Sequence, residues 1–387
     1  MSKPNVLMRT LLASVVAGAV ALPTIGYSCT SLLYTDANGA PYAGRTMELP
    51  MQLPYEATFF PKGAEFESKA DGQPELAFEG KYSFISLTVP DPVSKDLKVV
   101  EGMNDEGLSF SVLAFASTKG PKDMVSKTTE VLAAIDLGAW ALSQFKTVAE
   151  VKEALEAQPV LVTALLPLGI LKTPFHYTLH DANGDSIVIE FSNGQQNVID
   201  NPIGVMTNGP EFSWHMTNLN NYTFLDNRDR STIEFNGERF EQPDSGIATV
   251  ALPASNTSVG RFVRAVYYSQ FAEKAKTPDK AVNTLAHVMN NFDRPRGITM
   301  DNRYTGEIEN ITAPGVEGHK MYTSEYTSWT ALSDLRQLQF NVRSYDAMNY
   351  INFDLAALKN ETEKKSIALS QVPATIAEGN DALKTVN

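Results

Sequence analysis

The sequence predicts a layered α+β protein with helices packed outside stacked antiparallel sheets. Two observations carry this reading. Segments alternating at period two and segments at helical spacing follow one another as strands, helices, strands, helices, strands. The strand segments are joined by short turns such as Asn38-Gly39, Asn104-Asp105-Glu106-Gly107 and Asn183-Gly184, which connect antiparallel neighbours. With 387 residues, 43% hydrophobic and 20% charged, and no evident repeat, the chain can close one extensive core, so residues 29–387 are read as a single domain.

The elements follow in order. Lys3 and Arg9 precede an apolar run at 11–22 that is too short to span a bilayer; Pro23 then interrupts it, and Gly26 and Ser28 place small residues before Cys29. Residues 1–28 therefore read as a signal peptide, and the mature chain as exported, periplasmic and free of the membrane. CTSLLYT and PYAGRTMEL form a hairpin about Asn38-Gly39, in which paired residue numbers sum to about 76. Arg45 then lies opposite Ser31, on the face that carries Cys29 and within reach of it; a slip of one residue would reverse that face. Strands are expected at 97–103 and 108–115, and two helices within 128–157. FHYTLH, SIVIEF and IGVMT continue an antiparallel meander, helices cover 258–273 and 278–291 with Pro278 in a first turn, and the last strands lie within 326–355. From about Thr362 periodicity fades, which reads as a loosely docked tail. The stretch 160–175 is apolar and poorly periodic; a pocket-lining loop, a subunit contact and a buried helix are its competing readings.

Composition and charge narrow the function. The net charge of −13 becomes more negative by two once Lys3 and Arg9 are removed, which disfavours nucleic acid and anionic membrane as partners and suits a small-molecule substrate. His176 and His180 have the spacing of a helical zinc pair, yet their segment alternates like a strand, which separates them by about 13 Å. No metal or other cofactor is expected. One cysteine cannot form an internal disulfide. Cys29 is a small buried hydrophobe, a lipid attachment point, or an N-terminal nucleophile. The second would make the protein a lipid-anchored binding protein, although Gly26 and Tyr27 fit a lipoprotein signal poorly. The third fits the cleavage point: an N-terminal cysteine carries its own base, since an α-amine titrates near 7.7–8.0, and an arginine such as Arg45 favours the thiolate.

As a whole, CTSLLYTDANGAPYAGRTMEL, EGMNDEGL, NPIGVMTNGPEFSWHMTNLNNY, GRFVRA and YTSWTALSDL resemble the choloylglycine hydrolase family of N-terminal nucleophile hydrolases, which includes bile-salt hydrolases and penicillin V acylases. The resemblance implies a four-layer αββα fold, a free N-terminal cysteine and hydrolysis of an acyl amide. It implies that Cys29 is nucleophile and, through its amine, base; that Arg45 and Arg261 are the two arginines of the site; that the Asn208 side chain donates to the oxyanion; and that the Ala114 backbone N–H does likewise. Glu48 stands where the family usually has Asp. Ala114 stands where bile-salt hydrolases typically have Asn and Gram-positive penicillin V acylases have Tyr. With the export signal, this looks more like the Gram-negative branch, which cleaves penicillin V and long-chain acyl-homoserine lactones, with bile-salt hydrolysis as the alternative. Met47, Leu53, Phe59, Phe60 and Phe115 would suit an aryl or alkyl acyl chain, and the resemblance suggests a homotetramer.

Overall fold

The computed structural model describes residues 28–70, 72–91, 95–121, 130–163, 174–300 and 324–372. Two antiparallel sheets lie face to face. The six-stranded sheet runs in the order Val205–Met206, Ser28–Thr35, Pro41–Leu49, Tyr326–Asp334, Gln339–Ser344, Ile351–Asp354. The eight-stranded sheet runs in the order Gln195–Asp200, Ser186–Ser192, Phe175–His180, Ser109–Ala114, Leu97–Asn104, Phe84–Pro90, Glu56–Phe60, Lys365–Ala368. Helices α1 (Leu137–Gln144) and α2 (Val148–Ala157) cover the outer face of the larger sheet, and α3 (Phe212–Asn218) is short. Helices α4 (Ser258–Phe271) and α5 (Pro278–Met289) cover the outer face of the smaller one. The result is the expected αββα sandwich.

Burial explains why the central strands read as they do. Pro41–Leu49 and Tyr326–Asp334 are buried at every position because helices cover one face and the partner sheet the other. One core joins the inner sheet faces to α4 and α5 through residues such as Leu32, Leu113, Phe262, Leu285 and Trp329. A second lies between the eight-stranded sheet and α1 and α2, around Phe110, Leu142 and Ile189. Full burial of each such large apolar side chain stabilises the fold by about 1.5–3 kcal/mol. Gly44 permits the close approach of α5, since a Cβ there would lie 2.7 Å from Met289 Sδ and 2.9 Å from Leu285 Cδ1. The helices start as their sequences suggest: the Thr257 and Thr147 side chains accept from Gly260 N and Glu150 N, and Pro278 occupies the first turn of α5.

Some expectations change. Among the described residues of this stretch α-helix begins only at Leu137: Leu132–Ala133 is a short strand parallel to Val160–Leu161, followed by a 3₁₀ turn at Ala134–Asp136. A run of apolar residues there satisfies either period. Residues 122–129 and 164–173 lie outside the described residues, which leaves most of the 160–175 stretch there too. The tail from Thr362 is not loose where it is described: Lys365–Ala368 pairs with Glu56–Phe60 as an edge strand. Residues 373–387 lie outside the described residues.

Candidate active site

The first hairpin positions the site. Asp36 Oδ1 accepts from Asn38 N and Ala40 N, each at 2.8 Å, and Gly39 takes a φ of 73°. The turn thereby sets the register, with Ser31 opposite Arg45 and Cys29 opposite Met47, as the sum of 76 requires. Alternation then sorts the side chains. Cys29, Ser31, Arg45 and Met47 face the eight-stranded sheet, where Ser31 Oγ lies 3.5 Å from His180 Nε2 and Arg45 Nη2 donates to Val112 O at 2.5 Å. Thr30 and Glu48 face the helical side, where Thr30 Oγ1 accepts from Arg261 Nη1 of α4 at 2.9 Å.

Cys29 is 1% exposed. Its Sγ lies 3.8 Å from Met47 Sδ, which is 3.9 Å from Arg45 Nη2. Cys29 is joined to Ser28 in this structure and carries a backbone N–H. That N–H donates to Asn208 Oδ1 at 2.8 Å. The same oxygen accepts from Arg261 Nη2 at 2.6 Å, while Asn208 Nδ2 donates to Ala114 O at 2.8 Å. An amide nitrogen carries two hydrogens, so one remains for a further acceptor. Arg261 Nη1 also donates to Cys29 O, and Arg261 Nε to Asn256 O at 3.0 Å. One guanidinium thus ties the Cys29 strand, the Asn208 loop and the start of α4 together.

Electrostatics follow from burial. Burial lowers the Arg261 guanidinium to about 10, against the attraction of Glu48. For Arg45, burial alone would lower it, but the charges of Cys29, Glu101 and Glu48 outweigh this and hold it above the ordinary arginine range. Burial raises the Glu48 carboxyl above the usual carboxylate range, partly offset by Arg261 and Arg294. Glu48 Oε1 accepts from Thr327 Oγ1 at 3.2 Å, and Oε2 has no hydrogen-bond partner among the described residues.

The Asn208 loop is clamped by residues that sequence reasoning did not assign. His176 Nε2 donates to Thr207 O at 2.9 Å, His215 Nε2 to Asn208 O at 2.8 Å, and Asn208 N donates to Ser258 Oγ at 3.0 Å. His215 stacks on Phe262 at 4.4 Å, and burial pushes its imidazole down to about 4. His176 and His180 do lie along a strand, with different partners. Of the apolar candidates, Met47 touches Cys29, Phe59 joins the same core, and Leu53 packs against that core and lines a surface cavity. Phe115 stacks on His176 at 4.8 Å. Phe60 does not belong with them: alternation turns it to the outer face, where it stacks on Phe84 at 4.6 Å in the other core.

A buried thiol beside a guanidinium, a backbone nitrogen held by an amide oxygen, and an amide N–H to spare suit acyl transfer to sulfur. Known proteins point the same way. The sequence profile of the linear amide C–N hydrolases, choloylglycine hydrolase family, matches residues 29–367. The chain is 29% identical over 274 residues to a bile salt hydrolase/transferase of Clostridium perfringens, covering 70% of this chain and 80% of that protein. It is 27% identical over 372 residues to a penicillin V acylase of Pectobacterium atrosepticum, covering 91% and 86%. A conjugated bile acid hydrolase structure from Clostridium perfringens superposes with a TM-score of 0.74 at 23% identity, over 90% of this chain and 99% of that one. Penicillin V acylase from Agrobacterium tumefaciens gives 0.68 at 22% identity, over 92% and 96%. The chain therefore belongs to the choloylglycine hydrolase family and is a linear amide C–N hydrolase.

Proposed function

We propose that removal of residues 1–28 in the periplasm frees Cys29 as the N-terminal nucleophile of an amidohydrolase acting on penicillin V and long-chain acyl-homoserine lactones. The observation that carries this reading is the bond from Cys29 N to Asn208 Oδ1 within the cluster that holds Arg45 and Arg261. The free α-amine takes the thiol proton, and sulfur adds to the substrate carbonyl. The spare N–H of Asn208, with the Ala114 backbone N–H, receives the oxyanion. The amine product leaves with the proton, and water attacks the thioester with the α-amine again as base. Glu48 lies opposite Ser28, so release of Ser28 exposes an ammonium to its unpartnered Oε2.

The penicillin V acylase relative matches over more of this chain than the bile salt hydrolase relative does, which favours the acylase reading. The higher identity of the latter keeps conjugated bile salts as the second reading. Self-association to a homotetramer is part of the proposal. It is supported by the hairpin Thr232–Phe235 and Glu238–Glu241, which presents Ile233, Phe235 and Phe240 on one face, each more than half exposed. The decisive experiment compares kcat/KM on penicillin V, a long-chain acyl-homoserine lactone and a glycine-conjugated bile salt, with intact mass of the exported protein. A mass beginning at unmodified Cys29, activity on the first two and none after Cys29→Ala support the reading. A lipidated Cys29 overturns it, and dominance of the bile salt overturns the substrate assignment.

A further inference from the structure

One charged group in the gap between the sheets has no part in the chemistry above. Glu101, on the strand Leu97–Asn104, is 2% exposed, and its Oε2 lies 3.7 Å from Arg45 Nε across the gap. Neither atom has a hydrogen-bond partner among the described residues. The rest of the guanidinium is committed elsewhere: Nη1 donates to Thr46 O, and Nη2 to Val112 O while lying 3.9 Å from the Met47 sulfur that touches Cys29. Arg45 also lies 5.6 Å from the centre of the Trp329 ring. Its orientation is therefore defined, with one edge toward Glu101 and the other toward Met47 and Cys29.

We propose that Glu101 is a positioning residue of this site: as the acid facing Arg45 it holds the guanidinium edge toward Cys29 and, once ionised, sets the positive charge that the sulfur feels. The proposal rests on the reading of Cys29 as nucleophile. The groups around the pair are few. Pro41–Leu49 contributes Arg45, and from its helical side Glu48; Ser28–Thr35 contributes Cys29; Ser109–Ala114 places Ser111 opposite Glu101. His180, from Phe175–His180, is neutral because burial pushes its imidazole down to about 3. The Tyr55 phenol is raised by burial and by the charge of Cys29, and it too stays neutral. Burial lifts the Glu101 carboxyl to about 8, with the attraction of Arg45 offsetting only part of that cost. Arg261, which donates to Cys29 O, and the α-amine that processing would free are the other charges Cys29 meets, and Glu101 and Cys29 face the Arg45 guanidinium from opposite edges.

The test is the pH profile of Cys29 alkylation by iodoacetamide in the processed protein, from pH 5 to 10. With Glu101→Gln the opposing charge is gone. The rising limb moves to lower pH, and the rate at pH 9, where the wild-type Glu101 is ionised, increases roughly threefold or more, as removal of a nearby unit charge implies. Glu101→Asp returns the limb toward the wild type. Arg45→Gln moves it the other way, and adding Glu101→Gln to Arg45→Gln changes nothing further. A Glu101→Gln profile that superimposes on the wild type overturns the proposal, as does a shift that persists without Arg45. A role confined to packing would lower rates equally at every pH. Alkylation needs no substrate, so the expected profile in a protein that hydrolyses none of the three amides would sink the substrate reading alone. Hydrolysis with superimposed profiles would sink the role of Glu101 alone.

Discussion

Replacing Arg261 separates its charge from its geometry. The side chain donates to Cys29 O, Thr30 Oγ1, Asn208 Oδ1 and Asn256 O, and it is 0% exposed. Two of these acceptors keep another donor, since Asn208 Oδ1 retains Cys29 N and Asn256 O retains Arg294 Nη2. Cys29 O and Thr30 Oγ1 bear the loss. Arg261→Lys keeps the charge but offers three donors from one atom, which cannot span the acceptors. At about 1–3 kcal/mol for each of these two buried groups left unpaired, the cost is roughly 2–6 kcal/mol. Arg261→Met also strips Glu48 of one of its three cationic neighbours, which leaves that buried carboxyl less compensated and adds to the cost. The order wild type, Lys, Met should appear in urea midpoints at pH 7 with unchanged m-values. If Arg261→Met unfolds within about 1 kcal/mol of the wild type, the guanidinium does not hold these segments together.

Glu101→Gln should gain stability on the wild type as pH rises. The folded carboxyl, at about 8, holds a proton that the unfolded chain releases near 4.3, so the wild type loses stability between those values. Thermal unfolding at pH 6 and 9 should show the variant's advantage growing, by no more than about 3 kcal/mol over that interval. Asp36 has the opposite sign. Burial would raise its carboxyl, but bonds from Ala40 N and Asn38 N outweigh this and hold it below the usual range. Its contribution is present above about pH 4 and fades as pH falls through the depressed value. Asp36→Ala should therefore cost about 1–2 kcal/mol at pH 7 and less at pH 3, read from denaturant midpoints. Gly44→Ala should cost about 1–3 kcal/mol by pushing on Met289 and Leu285, and Met289→Ala in the same chain should recover part of the cost of Gly44→Ala, measured as a double-mutant cycle.

The hairpin around Asn38-Gly39 is legible because turn chemistry and strand period are local, and together they place Cys29 and Arg45 on one face, which Met47 shares in the structure. Asn208 and Arg261 were reached through resemblance to a family, since they meet Cys29 across 179 and 232 residues of chain. The strands Glu56–Phe60 and Phe84–Pro90 went unread because both their faces are covered, which removes the alternation that marks a strand. Phe60 was misplaced for a related reason: without the strand, nothing distinguished its face from that of Phe59. Glu101 did leave a signal, a lone acid in VVEGM, but its meaning depends on a partner in the other sheet. The histidines that clamp the Asn208 loop act on backbone carbonyls, and no residue pattern encodes such an acceptor.

The register of the first hairpin acts as a ruler. The length of the loop between Ser28–Thr35 and Pro41–Leu49 decides which side chains meet the thiol. One added residue would carry Arg45 and Met47 to the helical side and swing Thr46 and Glu48 toward the sulfur, exchanging a cation for an acid while every residue of both strands stayed the same. A change confined to a surface turn would thus rewrite the polarity around the Cys29 thiol, so the spacing from Cys29 to Arg45 belongs to the proposed catalytic design as much as either side chain does.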